Sequence, residues 1–442
     1  MVGTSGNLVA STIREDTIVE TLLQMGTFPA KDAVGLDIDY MNRSFTRVQE
    51  AANKNMGSDF NSFTMYGGRT KCNVADDGTI NAFYGDSNYR EDGSNGQVMI
   101  YQPKFYYKRI IRMSEELVNG TAVRHETLIL SSTEQAGFKL APIFGDGLEY
   151  VLLPAFDGSL VNDKLSSIAG VKPLNNVTIA QAESYANARG QGWHIMNMAA
   201  ESANQMLQIV EFGTMNGQSA IEQGITNIPQ GSNGNCYFIT GSTSSLGNGT
   251  GHASSTQVDV GGNISTVTED GYRAIIYRGM ENPWGNLWSM IGGLNIVGNG
   301  AQQGGTPYIC KDFSYTPTVV GNNYESVGFN LPAICEGYVN AMGYGKEEYD
   351  WVYLPIECSN TATSLLPVGD GLWSVAGLNA VNLMATGGSF GQKELCGPFN
   401  YAADRIPNDS ARNNYGAKLL FIPTKNATYT ANIAKWETYM GE

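Results

Sequence analysis

Hydrophobic positions in TIREDTIVETLLQM (12–25) recur at helical spacing, with Ile18, Val19, Leu22 and Leu23 on one side and Gly26 behind them. This predicts an amphipathic helix stopped by a glycine. Such a helix packs on its own chain, zips subunits together or docks on a larger assembly. From 60 to 112 the period changes to that of strands. NVADDGTINAFYGD alternates around an Asp-Gly pair, and GSNGQVMIYQPKFYYKRII reads as a turn followed by a strand pair, so this region is predicted to be β-rich. EYVLLPAFDGS (149–159) reads as a further strand. The helical period then returns twice. TIAQAESYANAR opens at Thr178 with a Thr-x-x-Gln capping box, turns Ile179, Ala182, Tyr185 and Ala186 inward, and stops at Gly190. NMAAESANQMLQIVEFG (197–213) places Ala199, Ala203, Met206, Leu207 and Val210 on one face. Residues 214–276 are rich in Gly, Ser, Thr and Asn, and short strands, turns and aromatics follow to 423. The last stretch, 424–442, reads as a polar tail with a short helix at NIAKWETYM.

The segment 387–421 fits neither period, yet VAGLNAVNLMA (375–385) leads into it and KLLFIP (418–423) closes it. Lys418, Leu420 and Ile422 alternate with Leu419, Phe421 and Pro423, as a final core strand would. Between these apolar ends stand Phe390, Gln392, Lys393, Glu394, Phe399, Asn400, Tyr401, Asp404, Arg405, Asn408, Arg412, Asn413, Asn414 and Tyr415, with glycines interspersed. Aromatics give contact area at small entropic cost, and amides and hydroxyls adapt their hydrogen bonds. These residues are therefore predicted to form an exposed binding face on a rigid frame.

Composition narrows the classes. The chain has 442 residues, 42% of them hydrophobic, enough to offset the entropy of ordering. Charged residues make up only 16% and the net charge is −15, with no Lys/Arg cluster, which argues against nucleic acid as a partner. The most basic stretch, KFYYKRIIR (104–112), alternates with apolar residues and reads as a strand with a solvated face. No apolar run approaches ~18 residues, so no membrane insertion is expected. The opening residues lack the basic and apolar regions of a secretory signal. Synthesis in a cytoplasm follows as the expectation. The six cysteines show no Cys-x-x-Cys spacing and the three histidines are far apart, so no metal and no cofactor are expected. The acidic turns ADDG and REDG lack calcium-loop spacing. GNGTGH (247–252) lacks the Lys-Ser/Thr ending and the helix of a phosphate loop.

In YRGMENPWGNLWSMIGGLNI (277–296), Trp284 and Trp288 lie four apart, so one helical turn would put both on one face. With Trp193, they are predicted to be packing anchors. This segment resembles the W-G-N-(V/L/I)-W element of C-type-lectin-fold proteins of the formylglycine-generating-enzyme type. It is closer still to the Y-R-G-x-E-N-P-(W/F)-G-N-(I/L)-W signature of phage tail-fibre and tail-tip proteins of gut bacteria. GSNGQVMIYQPKFYYKR resembles a strand of their N-terminal module, and ARGQGWHIMNMAAESANQMLQIVEFGTMNGQSAIEQG resembles their helix and turn. GGSFGQ…GPF…N…GAKL resembles their ending, with Phe390 in place of Trp. Together these cover roughly residues 60–423.

The resemblance implies an α+β chain in which two helices flank a short antiparallel sheet. It divides the chain into an attachment or oligomerisation helix (1–30), a β-rich N-terminal module (31–144), a C-type-lectin-fold ligand-binding domain (145–423) and a tail (424–442). It also implies a homotrimeric virion protein, a tail fibre or tail tip, that contacts other virion proteins and binds a bacterial cell-surface protein or glycan. In several such proteins a retroelement diversifies the C-terminal face. Two alternatives stay open: a structural tail or head-decoration protein, and an enzyme. Formylglycine-generating oxidases need a close cysteine pair near the C-terminal end, whereas Cys396 stands 38 positions from Cys358. Iron-dependent sulfoxide synthases need clustered histidines. A glycosidase needs paired carboxylates, for which Glu281, Glu336 and Asp370 are candidates that nothing in the sequence pairs.

Overall fold

The computed structural model describes residues 31–228, 236–260, 262–299, 304–334, 336–361, 366–374 and 380–441. The helix expected at 12–25 and the apolar residues 375–379 lie outside them. The described chain is built mainly of strands, 36% against 17% helix. The α+β class expected from sequence is therefore corrected to a β-rich one. The physical reason is that the short strands and turns read between 277 and 423 join one another and the N-terminal strand Gly120–Ser131 in one large sheet.

Two sheets carry the molecule. In the fourteen-stranded sheet, Ser44–Gln49, Ala33–Asp39 and Gly120–Ser131 lead into Gly337–Tyr344, Gly371–Trp373, Gly397–Ala402, Val381–Gly387 and Trp288–Val297. The six-stranded sheet runs Trp193–Ile195, Leu419–Phe421, Tyr150–Pro154, Gln97–Pro103, Thr70–Val74, Ile80–Phe83. Strands from either side of residue 144 share both sheets, so the expected boundary at 144/145 is not a boundary between sheets. The Asp-Gly turn at 77–78 closes a hairpin, with Cys72 opposite Phe83. KFYYKRIIR enters the long strand Tyr106–Leu117, paired along its length with Gly120–Ser131.

Helix α1 (Ile179–Asn187) starts at Thr178, whose side chain accepts from Gln181 N while Gln181 returns a bond to the Thr178 backbone. Helix α2 (Met198–Phe212) is capped by Asn197, which accepts from Ala200 N, and ends at Gly213 in the left-handed region, φ 69°. All of α2 except Ala199 is buried, so it has no solvent face. Its polar residues serve as ties: Gln205 Nε2 donates to Pro398 O (2.7 Å) and Tyr401 Oη (2.8 Å), and Asn204 Oδ1 accepts from Arg69 Nη1 (2.8 Å). The helix expected at NIAKWETYM in the 424–442 tail is present, longer than expected and packed on the core. Helix α3 (Ala427–Met440) seats Tyr429 and Trp436 in a ladder of stacked rings, Tyr429–Tyr150–Tyr101–Trp436, with centroids 5.2, 4.5 and 5.0 Å apart. Asn432 Nδ2 donates to Gly78 O (2.9 Å) and Oδ1 accepts from Ile80 N (3.0 Å). An Asn and a Trp one turn apart thus dock a helix whose outer face supplies the polar appearance.

Candidate binding surface

Strand Val381–Gly387 ends in Gly387 and Gly388, both at positive φ (86° and 79°), which lets the chain reverse where other residues would be strained. A 3₁₀ turn, Lys393–Leu395, follows, and the chain returns as Gly397–Ala402. This return strand is buried at every residue, because it pairs with Gly371–Trp373 on one side and Val381–Gly387 on the other. Five of the residues assigned to the exposed face are therefore interior. Tyr401 is fully buried and donates its hydroxyl to Tyr353 O (2.7 Å). Phe399 and Asn400 share its strand, and Phe399 lies 6.2 Å from the Tyr353 ring. Phe390 belongs to a small core with Ile225, Phe238 and Leu287. Tyr415 packs 6.1 Å from Trp288. The aromatic half of the predicted face is core, and its burial is the correction.

The polar half divides into two groups at opposite ends of Val381–Gly387. Asp404, Arg405, Arg412, Asn413 and Asn414 are half-buried and Asn408 is exposed. They lie around the start of α1, where Ser410 Oγ accepts from Ile179 N (2.9 Å) and Asn413 O from Asn175 Nδ2 (2.7 Å). Asp404 and Arg405 are 3.3 Å apart, and Arg412 pairs with Asp409. Burial raises the Asp404 carboxyl although Arg405 opposes it. At the other end, Gln392 is half-buried, and Lys393 and Glu394 are exposed.

This second end opens onto a cleft of about 690 Å³, within the size range of small-ligand pockets. Three carboxylates, Glu222, Asp270 and Glu394, line it with the amides of Asn216, Gln218 and Gln223 and the ring of Tyr338. Gln218 ties the cleft to the predicted segment, since its Nε2 donates to Lys393 O (2.8 Å) and Cys396 O (2.7 Å). Tyr338 Oη reaches Glu394 Oε1 at 3.4 Å. Burial, with Glu394 and Glu336 nearby, raises this phenol. Glu222 is held by Arg273 and by His252 Nδ1 at 3.5 Å. The cleft wall rests on Trp284, which is buried and donates Nε1 to Gln223 O (3.2 Å). Gly217 fits beneath the same indole; a Cβ there would stand 2.9 Å from the ring. Trp288 and Trp193 are buried too. Trp284 and Trp288 do not share a helical turn: Trp288 begins the strand Trp288–Val297 and Trp284 lies in the turn before it.

The sequence reading missed Asn216, Gln218, Glu222, Gln223, Asp270 and Tyr338. The Asn216 cap, whose Oδ1 accepts from Ser219 N (3.0 Å), is a local signal for the turn. Nothing local marks Asp270 or Tyr338. The candidate carboxylates are dispersed in role. Glu281 is buried and accepts from Gly241 N (2.8 Å), Thr243 N (2.9 Å) and Thr243 Oγ1 (2.7 Å). Asp370 is buried and accepts from Phe399 N (2.7 Å), while Glu336 is exposed. The histidines each meet a different carboxylate: His125 with Asp37, His194 with Glu183, His252 with Glu222. Among the described residues no three His, Cys, Asp or Glu side chains converge on a metal geometry, and no helix is long and apolar enough to cross a membrane.

Burial lifts Glu201 on α2 to about 7, with Lys418 and Thr386 opposing. A carboxyl raised in the folded state binds its proton more tightly there than in the unfolded chain. Its contribution is therefore unaffected below about pH 4.5, and stability is lost as pH rises toward 7. Glu201→Gln is expected to raise the melting temperature at pH 8, by up to about 3 kcal/mol of unfolding free energy, and to leave it nearly unchanged at pH 4.5. Thermal unfolding at the two pH values measures the difference; equal shifts at both would dissociate it from this titration.

What the cleft offers chemically is dense polarity, in which Arg273 already pairs with Glu222. Carboxylates and amides around a tyrosine ring suit the hydroxyls of a saccharide or the basic side chains of a protein surface. No protein-family model matches the chain, and no curated protein matches its sequence.

Proposed function

We propose that this protein is a receptor-binding virion protein of a phage, a tail fibre or tail tip that attaches to a bacterial surface protein or glycan. Two things support the reading. The sequence carries four segments, in order, that resemble such proteins. The turn bearing Gln392, Lys393 and Glu394 also borders an open polar cleft of about 690 Å³, which Glu394 lines and whose Gln218 donates to Lys393 O, and this juxtaposition carries the proposal. In this reading the receptor engages Lys393, Glu394, Asp270 and the cleft amides, with the buried aromatics holding the wall rigid. Assembly as a homotrimer would multiply a modest single-site affinity by roughly 10²–10⁴ where several sites engage one cell. Diversification, if the chain shares it with its look-alikes, would act on exposed codons such as those for Lys393, Glu394 and Asn408.

The second reading, a structural virion protein without a receptor, is favoured by one observation: Phe390, Phe399, Tyr401 and Tyr415 are core residues, which removes the aromatic contact area expected of a binding face. The two readings separate in one experiment. Labelled protein is incubated with candidate host bacteria, beside a Lys393→Ala, Glu394→Ala, Asp270→Ala variant and an Arg405→Ala, Arg412→Ala variant. The cleft variant is expected to lose at least about tenfold in cell labelling, the loss of one or more hydrogen bonds to charged groups, with its melting temperature unchanged. Labelling preserved in the cleft variant would reject this site. Absence of labelling by the parent on every host carrying the phage's receptor range would favour the structural reading.

A further inference from the structure

Away from the cleft, a hollow of about 320 Å³ lies between the turn at Asn61–Gly67, the start of strand Thr70–Val74, Asn248, Arg278 and the last turn of α3. Two guanidinium groups form its wall, Arg278 and Arg69, and both are buried. Their situations differ. Arg278 is fully used and neutralised. Nε and Nη2 donate to Glu211 (2.6 and 2.7 Å), Nη1 to Asn61 Oδ1 (3.0 Å) and Tyr66 O (3.1 Å), and Nη2 also to Gly57 O (2.9 Å). Glu211 is in turn saturated, accepting from Gly57 N (3.0 Å) and Tyr277 Oη (3.0 Å) besides Arg278. Arg69 has only neutral partners. Nε donates to Arg278 O (3.1 Å), and Nη1 donates to Gln102 Oε1 (3.2 Å) and Asn204 Oδ1 (2.8 Å). Its Nη2 is buried without a hydrogen-bond partner, and no carboxylate pairs with it among the described residues.

A buried cation without a counter-charge is costly, as is a buried N–H without an acceptor. The ring of Tyr277, 5.2 Å from the guanidinium carbon, offsets part of the cost. Burial still pulls Arg69 down to about 10. The cluster thus holds two guanidinium charges against the single carboxylate of Glu211, in a chain whose net charge is −15. The rim is polar. Asn248 Nδ2 donates to Thr70 Oγ1 (2.8 Å) and keeps a second N–H, while Tyr439 Oη accepts from Thr70 Oγ1 (3.2 Å) and donates its own proton to Tyr84 O (3.1 Å). Among the described residues no acidic side chain lines the hollow.

We propose that this hollow binds a small oxyanion, the carboxylate, phosphate or sulfate of a small molecule, which supplies the missing counter-charge beside Arg69 and accepts from the second N–H of Asn248 at the rim. The site ties the N-terminal strands to α2 and α3, so its occupancy couples to stability through linkage.

The test is thermal unfolding of the full chain at fixed ionic strength, with chloride replaced stepwise by inorganic phosphate, sulfate or acetate. The expected result is a saturable rise in melting temperature of about 3 °C at a hundredfold excess over the dissociation constant. Saturation with acetate alone assigns the site to carboxylates, and saturation with phosphate or sulfate alone to tetrahedral oxyanions; either supports the proposal when Arg69→Gln abolishes it. Where Arg69→Gln does not fold, Asn248→Asp places a carboxylate at the rim and is expected to raise the melting temperature in chloride while removing the response to oxyanions. A response equal to that of chloride in the parent, or one retained in either variant, overturns the proposal.

Discussion

Trp284→Ala is expected to lower the unfolding free energy by about 3–5 kcal/mol, the range for removing a buried aromatic. The indole is 1% exposed, sits edge-on to Phe212 with centroids 6.3 Å apart, and donates Nε1 to Gln223 O. Glycines at 217, 224 and 387 crowd it so closely that any Cβ at 217 would collide with the ring. Neighbours without side chains cannot fill the space left by alanine, so the cavity term stays near its upper limit. Asn216, Gln218 and Gln223 hang on the backbone this ring supports, so the cleft should deform with it. Denaturant unfolding gives the first effect and cell labelling at a temperature where the variant is folded gives the second. Full stability combined with lost labelling would instead place Trp284 in contact with the receptor.

Local chemistry was legible where it acts locally. Thr178 and Gln181 announce the start of α1, and Asp-Gly announces the first hairpin, because each bond closes within a few residues. Pairings across long separations were not. The aromatics of 387–416 have the composition of an exposed loop, yet Gly397–Ala402 is sandwiched between two strands, one of them parallel and reached from Gly371–Trp373. Composition reports what a segment could contact and says nothing about which strand lies beside it. For the same reason the apolar stripe of α2 says nothing about what Asn204 and Glu211 meet. Their partners are Arg69 and Arg278, 135 and 67 positions away. Of the cleft, the 392–394 turn was readable as exposed polar sequence, but Asp270 and Tyr338 converge on it only through the fold.

The second large effect is expected at a buried ion pair, Arg109 with Glu126, whose side chains are 1% and 0% exposed. Glu126 also accepts from Tyr40 Oη (2.7 Å), and Arg109 donates Nη1 to Asp350 O (2.9 Å) with its guanidinium carbon 4.3 Å from the Tyr353 ring. Burial opposes the charge on Arg109, yet Glu126 and its neighbours hold it above the ordinary arginine value. Glu126→Gln keeps the shape and removes the charge, leaving the guanidinium buried and unpaired, and is expected to cost about 3–5 kcal/mol. Arg109→Met with Glu126→Leu removes both charges, and is expected to cost no more than about half of the single change, since an isolated buried pair contributes little beyond what its desolvation costs. The two variants together distinguish a pair that holds the hairpin Tyr106–Ser131 onto Tyr349–Tyr353 by specificity from one that holds it by net energy. A double variant as unstable as the single one would show that the hydrogen bonds to Tyr40 and Asp350, and not the charges, fasten the N-terminal strands to the rest of the sheet.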